Sequence, residues 1–185
     1  MDVMDAIHRR RSVRNFTAEA IENGLLLRLI DAAVWAPSAI NEQPWLFTVV
    51  EDQQRLDTIS KHAKAHLLAG PSEAMPSHLR ERLANPDFQI FHHAPVLIVI
   101  SAMSRGPWAV EDCALAAENL MLAACAEGLG TCWIGFAQSW LQTREGKGAL
   151  ELPAACLPVA PIIVGRPAMI PAPAPRNQAH IHWLR

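Results

Sequence analysis

The sequence predicts an α+β fold. Helical and extended stretches follow one another without the regular strand–helix–strand rhythm of a doubly wound sheet. The 185 residues, 51% of them hydrophobic, are enough for one core. The apolar runs are bounded by Pro, His or Gly and fall well short of the roughly 18 residues of a membrane span.

The elements follow in order. Asp2 to about Arg10 predicts a first helix with Met4 and Ile7 on its apolar side. A second runs from about Leu25 to Trp35, where Leu26, Leu29, Ile30 and Ala33 recur at helical spacing and Asn23 suits the N-cap. Pro37 ends it. After a loop from Pro37 to Pro44, Trp45–Glu51 reads as a strand and Asp52–Leu68 as a helix. The stretch Ala69–Asn85 contains Gly70, Pro71 and Pro76 and is expected to be the least regular part.

Pro95–Ser101 reads as a buried strand, because Val96–Ile100 is an unbroken β-branched and leucine run. Trp108–Glu127 predicts a long helix closed by Gly128 at the C′ position. It carries large apolar residues on every side; Glu111, Asp112, Glu118 and Asn119 share one arc that Leu115 and Leu122 interrupt. Such a helix belongs in a core or against another subunit. A short helix is expected over Ser139–Leu150 and a third strand over Val159–Gly165. Beyond it, Pro167, Pro171, Pro173 and Pro175 exclude helix and ladder alike. The chain then ends in apolar, strand-like Ile181-His182-Trp183, an arm expected to pack on a partner subunit.

A formal charge of −2 gives no global basic field and argues against a dedicated nucleic-acid binder. The N-terminus has no apolar signal-like stretch. Cys113, Cys125, Cys132 and Cys156 form no C-x-x-C pair, so free, buried thiols in a cytoplasmic protein are expected. His62 with His66, and His180 with His182, have helix and strand spacing, but neither pair has a third ligand nearby, and no metal site is expected.

Three segments carry candidate chemistry. Four of the 13 arginines fall within Arg9–Arg14, where Ser12 adds a hydroxyl. Guanidinium forks bind phosphate bidentately, although a solvated basic face accounts for the charge as readily. The loop Pro37–Pro44 brackets Ser38, Asn41 and Gln43 between prolines. Its neutral hydrogen-bonding groups either recognise a heterocycle or polyol, or satisfy their own backbone. Gly128-Leu-Gly130-Thr-Cys-Trp-Ile-Gly135 is no dinucleotide fingerprint, since it follows a helix with the wrong glycine spacing. It reads as a helix cap and turn, or as exposed backbone that a flat ligand approaches at Gly135.

Together these segments resemble the FMN-dependent nitroreductase family, in its compact branch. The resemblance rests on Ile7-x-x-Arg10-Arg11-Ser12-Val13-Arg14-x-Phe16, on Ala36-Pro37-Ser38-Ala39-x-Asn41-x-Gln43-Pro44-Trp45, on Gly128-Leu-Gly130-Thr-x-Trp133-Ile134-Gly135, and on Gly165-x-Pro167 with Pro175-Arg176 and Ile181-His182-Trp183. It runs from about residue 5 to 183 and is weakest over 61–94.

The resemblance implies one FMN-binding domain over 1–185, with a mainly antiparallel sheet flanked by helices. It implies an intertwined homodimer whose 166–185 arms are exchanged, and a variable 61–94 segment that shapes the pocket. Hydride would pass from NADH or NADPH through flavin N5 to a small electron acceptor, a nitroaromatic or a quinone, in a ping-pong cycle. Arg10, Arg11 and Ser12 would hold phosphate and ribityl groups, joined at the phosphate by Arg176. Arg14 would face the N1–O2 edge and tune the flavin, with no indispensable acid or base. Pro37, Ser38, Ala39 and Asn41 would complete the site, Ser38 and Asn41 from the partner chain. Trp133, Ile134 and Gly135 would lie along the ring, with a backbone N–H to N5. Ala39, Ala174 and Gly135 stand where many members have Ser, Lys and Glu. The alternative is a flavin-binding storage or sensing protein without turnover.

Overall fold

One antiparallel sheet organises the chain. Its strands are β1 (Trp45–Val50), β2 (Val96–Ala102), β3 (Gly130–Trp133) and β4 (Leu157–Gly165), in the spatial order β1-β2-β4-β3. The computed structural model describes residues 1–71, 75–103 and 105–185. β1 and β2 pair from Trp45–Ala102 to Val50–Leu97, and β3 joins β4 from Gly130–Gly165 to Trp133–Ile162. The β2–β4 register shifts between Ile100 and Ser101.

Helices cover both faces. α1 (Val3–Arg9), α2 (Asn23–Val34) and α5 (Ala109–Ala126) lie on one side, where Val96, Ile98 and Ile100 meet Leu26 and Leu29 of α2 and Ala116 and Leu120 of α5. α3 (Gln53–Leu68), α4 (Ser77–Ala84), α6 (Gly135–Leu141) and α7 (Arg144–Ala149) belong to the other. There Leu97, Val99 and Ile163 meet Leu56, Ile59 and Leu141. Alternate side chains of β2 thus enter two different cores, which is why this central strand is apolar throughout and buried at every position.

Several boundaries follow local chemistry. Asp2 caps α1 by accepting the Asp5 N–H at 2.8 Å, and Asp52 caps α3 by accepting the Arg55 N–H at 2.8 Å. Gly128, at φ +76°, follows α5 as the sequence predicts. Asn23, expected as a cap, instead lies inside α2, after a Glu22 that makes no side-chain cap bond.

Four expectations are corrected. The stretch expected to be irregular contains α4, bracketed by Pro76 and Pro86 and anchored by the fully buried Leu83; its residues 72–74 lie outside those described. The helix expected over Ser139–Leu150 is two helices. Thr143 breaks it, accepting the Gly146 N–H at 3.0 Å while its hydroxyl donates to the Trp140 carbonyl at 2.7 Å. The segment after Gly128, read as a turn or as exposed backbone, is the buried strand β3. Ile181–Trp183 forms no strand and is exposed in this single chain.

The segment after α1 is sewn to the sheet edge. Ser12 bridges Thr131 in parallel, with the Val13 N–H donating to the Thr131 carbonyl at 2.9 Å. Thr17 and Asn15 exchange hydrogen bonds with Arg166 and Ala168 at 2.9 and 3.0 Å. Gly130 permits this approach, since a Cβ there would lie 2.8 Å from Val13. Among the described residues no helix is long and apolar enough to cross a membrane.

Candidate functional site

Where β3 gives way to α6, an open cleft of about 430 Å³ holds four of the residues predicted from sequence: Arg14, Trp133, Ile134 and Gly135. Arg14 arrives on the segment bridged to β3, and the other three are consecutive at the strand-to-helix junction. The Ile134 N–H already donates to the Pro161 carbonyl at 2.8 Å. The Gly135 N–H, in the first turn of α6, has no intrahelical acceptor. A Cβ on Gly135 would meet no atom within 4 Å, so the chain's own packing does not require glycine there.

The opposite wall comes from α4 and the loop before β2. Arg82 lays its guanidinium 4.4 Å from the Phe88 ring centroid, and His92 meets the same ring edge-on at 5.7 Å. His92 and His93 both adopt left-handed backbone, at φ 55° and 54°. Burial, then the neighbouring Arg14, Arg82 and His93 charges, push the His92 imidazole down to about 4. At neutral pH an uncharged imidazole therefore shares the cleft with two guanidinium groups. Among the described residues neither Arg14 nor Arg82 forms an ion pair.

Arg10 and Arg11 line a second cleft of about 340 Å³, together with Pro167, Pro171 and Pro173. Arg10 Nε stands 3.4 Å from Glu118 Oε1 on α5, at ion-pair distance but without hydrogen-bond geometry. Arg11 Nη1 donates to the His8 and Arg10 carbonyls at 2.8 and 2.7 Å. The Nε of each is buried without an acceptor. Burial pushes the Cys132 thiol up, against the downward pull of Arg14, Ser12 and Arg10.

The loop from Pro37 holds its shape by internal bonds. Ser38 Oγ accepts the Gln43 N–H at 3.0 Å, and Gln43 Nε2 donates to Asn41 Oδ1 at 2.9 Å. Ile40, Asn41 and Gln43 adopt φ of 48°, 57° and 49°, a region costly for a β-branched residue such as Ile40. Asp112 Oδ1 accepts the Ala39 N–H at 3.0 Å from the first turn of α5.

Residues 7–166 match the model described as the Nitroreductase family. The chain belongs to this family. A relative in Methanothermobacter thermautotrophicus, provisionally named NADH dehydrogenase/NAD(P)H nitroreductase, is 30% identical and covers 92% of this chain and 80% of its own. The FMN reductase [NAD(P)H] of Bacillus subtilis is 28% identical over 95% of this chain and 70% of its own. A solved nitroreductase with bound FMN from Bacteroides fragilis superposes with a TM-score of 0.88 at 26% identity, covering 100% of both chains. The antiparallel sheet flanked by helices is thus the nitroreductase fold.

Within this nitroreductase chain the predicted residues occupy separate surfaces. Arg14, Trp133, Ile134 and Gly135 share one cleft, and Arg10 and Arg11 share another. Ser12 joins the two segments through Thr131. Pro37, Ser38, Ala39 and Asn41 sit on their own loop, and Arg176 is exposed in the extended tail. Sequence reasoning missed Arg82, Phe88 and His92, which lie in the segment least like the family, and Asp112, whose place in an arc of acids was its only signal. Among the described residues no cluster of three His, Cys, Asp or Glu could hold a metal ion.

Proposed function

We propose that the chain is an FMN-dependent oxidoreductase drawing on NADH or NADPH and reducing a small acceptor such as a nitroaromatic or quinone. The observation that carries this reading is the cleft at the β3–α6 junction, which Arg14, Ile134 and Gly135 line together with the aromatic Trp133, Phe136 and Phe88. A flat ring with an anionic edge suits these walls and this cation. The buried Arg11 Nε donor, without an acceptor or an ion-pair partner among the described residues, suits an incoming phosphate.

FMN, when bound, supplies the two-electron chemistry, with nicotinamide and acceptor served in two separate half-reactions. The residues bind and orient. Arg10, Arg11, Ser12 and Arg176 would hold the phosphate and ribityl groups. Arg14 would supply a cation to the pyrimidine edge, and Trp133, Ile134 and Gly135 would line the ring. Because the Ile134 N–H is committed to Pro161, the Gly135 N–H would be the donor left for the ring.

Ser38 and Asn41, on the loop that also carries Pro37 and Ala39, would serve the partner's cofactor in a homodimer. Support comes from apolar side chains left exposed in the single chain: Ile7 on α1, Leu115 on α5, Trp35 and Ile40 beside the loop, and Trp183 and Leu184 on the arm. In this reading 1–185 is one FMN-binding domain, 61–94 shapes its mouth, and 166–185 crosses to the partner. Four free cysteines fit a reducing compartment such as the cytoplasm.

The test is anaerobic. Protein reconstituted with FMN should lose its flavin absorbance on adding NADH or NADPH and regain it on adding a quinone or nitroaromatic. Flavin that binds but is never bleached by either nicotinamide would instead support a storage role.

A further inference from the structure

One wall of the β3–α6 cleft carries a cation that cofactor binding does not use. Arg14 is committed to the flavin in the reading above; Arg82 is not. Its side chain is exposed, with the guanidinium over Phe88 at 4.4 Å, and no ion pair among the described residues engages it. Among the described residues, the neighbouring acids in sequence, Glu81 and Asp87, do not pair with it, and no Asp or Glu lines the cleft. This local excess of positive charge stands out in a chain whose formal charge is −2.

Arginine stacked on an aromatic face keeps the outer edge of its donor fork available, at a low entropic cost for binding a planar anion. Phe136 and Trp133 line the same cleft beside the Arg82–Phe88 stack. A cation at the rim of an aromatic slot complements an aromatic ring bearing an acidic substituent.

We propose that the acceptor taken by this site is an aromatic compound carrying a carboxylate or similar anionic group, and that Arg82 reads that charge. The inference rests on the FMN oxidoreductase reading and names its substrate class. His92 supports it. Depressed to about 4, its imidazole is neutral at pH 7 and offers a hydrogen bond but no charge, which leaves charge recognition to Arg82. The reaction balances without further reagents. One NADH and one proton convert a nitro group to nitroso with loss of water, two electrons passing from nicotinamide to nitrogen.

The experiment compares two probes of equal shape, 4-nitrobenzoate and 4-nitrobenzamide, on the FMN-loaded protein. The kcat/KM ratio of acid over amide should favour the acid roughly three- to fivefold, as an ion pair made by an exposed arginine allows. Arg82→Gln should bring that ratio near one through KM, and Arg82→Lys should restore part of it. Calorimetry with benzoate and benzamide, which accept no electrons, should give the same order of affinities. Protein that carries FMN and is bleached by nicotinamide, yet shows a ratio near one or a ratio unmoved by Arg82→Gln, overturns this inference alone. Protein that takes up no FMN overturns the functional reading, and benzoate against benzamide still decides whether the cleft reads charge.

Discussion

Asp112 and Ala39 are joined across 73 residues of sequence by one hydrogen bond, from the Ala39 N–H to Asp112 Oδ1 at 3.0 Å. The carboxylate is only 3% exposed, and its second oxygen has no partner. This bond pins the start of a loop whose next two residues, Ile40 and Asn41, are in left-handed conformation. Asp112→Ala should release the loop at a cost of about 1 kcal/mol, because a lost hydrogen bond is partly offset by removal of a buried unpaired oxygen. Hydrogen exchange at the Ala39 amide should quicken, and FMN should bind several-fold more weakly. Asp112→Asn keeps an acceptor and should retain most of the protection. An Ala39 amide equally protected in Asp112→Ala would show that the bond does not hold the loop.

Gly130 and Val13 form the second critical contact. A Cβ at position 130 would stand 2.8 Å from the Val13 side chain, where the N-terminal segment joins β3. Gly130→Ala should therefore cost about 1–3 kcal/mol by overpacking. Val13→Ala makes room, so the double variant should be less destabilised than the sum, by roughly 0.5 kcal/mol or more. Thermal unfolding of the four proteins measures this; strict additivity would mean the clash is absorbed elsewhere.

Arg14→Ala removes a cleft-lining cation that forms no ion pair among the described residues. FMN dissociation should rise roughly tenfold, in line with loss of a charged hydrogen bond, and reduction of the flavin by nicotinamide should slow. Stopped-flow bleaching and a fluorescence titration read the two effects separately. Unchanged values for both would remove Arg14 from the site.

His92 gives a pH signature with a defined sign. Its folded value, about 4, lies below the ordinary 6.5, so between these values the unfolded chain binds the proton more readily. Its contribution to stability is therefore present above about pH 6.5 and is lost as pH falls toward 4. Urea midpoints should fall between pH 7 and pH 5, and His92→Gln should flatten that fall. Histidine NMR should place its titration well below 6.5; a midpoint near 6.5 would contradict its burial beside Arg14 and Arg82.

Much of the fold was legible because periodicity survives tertiary packing in long elements. α3, α5 and β2 lie within a residue or two of their expected ends, since Asp52, Gly128 and Pro95 punctuate them. β3 was not legible. Its four residues are too short for alternation to register, and Gly130, which reads as a breaker, is there for Val13. α4 and the break at Thr143 depend on single contacts, Leu83 in the core and the Thr143 hydroxyl, that no window of sequence reveals. At the candidate site, Arg14 and Trp133–Gly135 were marked by the family's motifs, and the cleft does bring them together. Arg82, Phe88 and His92 come from the segment whose pattern departs most from the family, so only the fold could place them opposite Arg14.

Native mass spectrometry of the FMN-reconstituted protein addresses the central claim most directly, that two chains close around shared flavin sites. The predicted species has twice the 20.3 kDa chain mass plus two FMN, and it should lose flavin when Arg14 is replaced by Ala. A 20.3 kDa species without flavin, unchanged by excess FMN, would contradict the account.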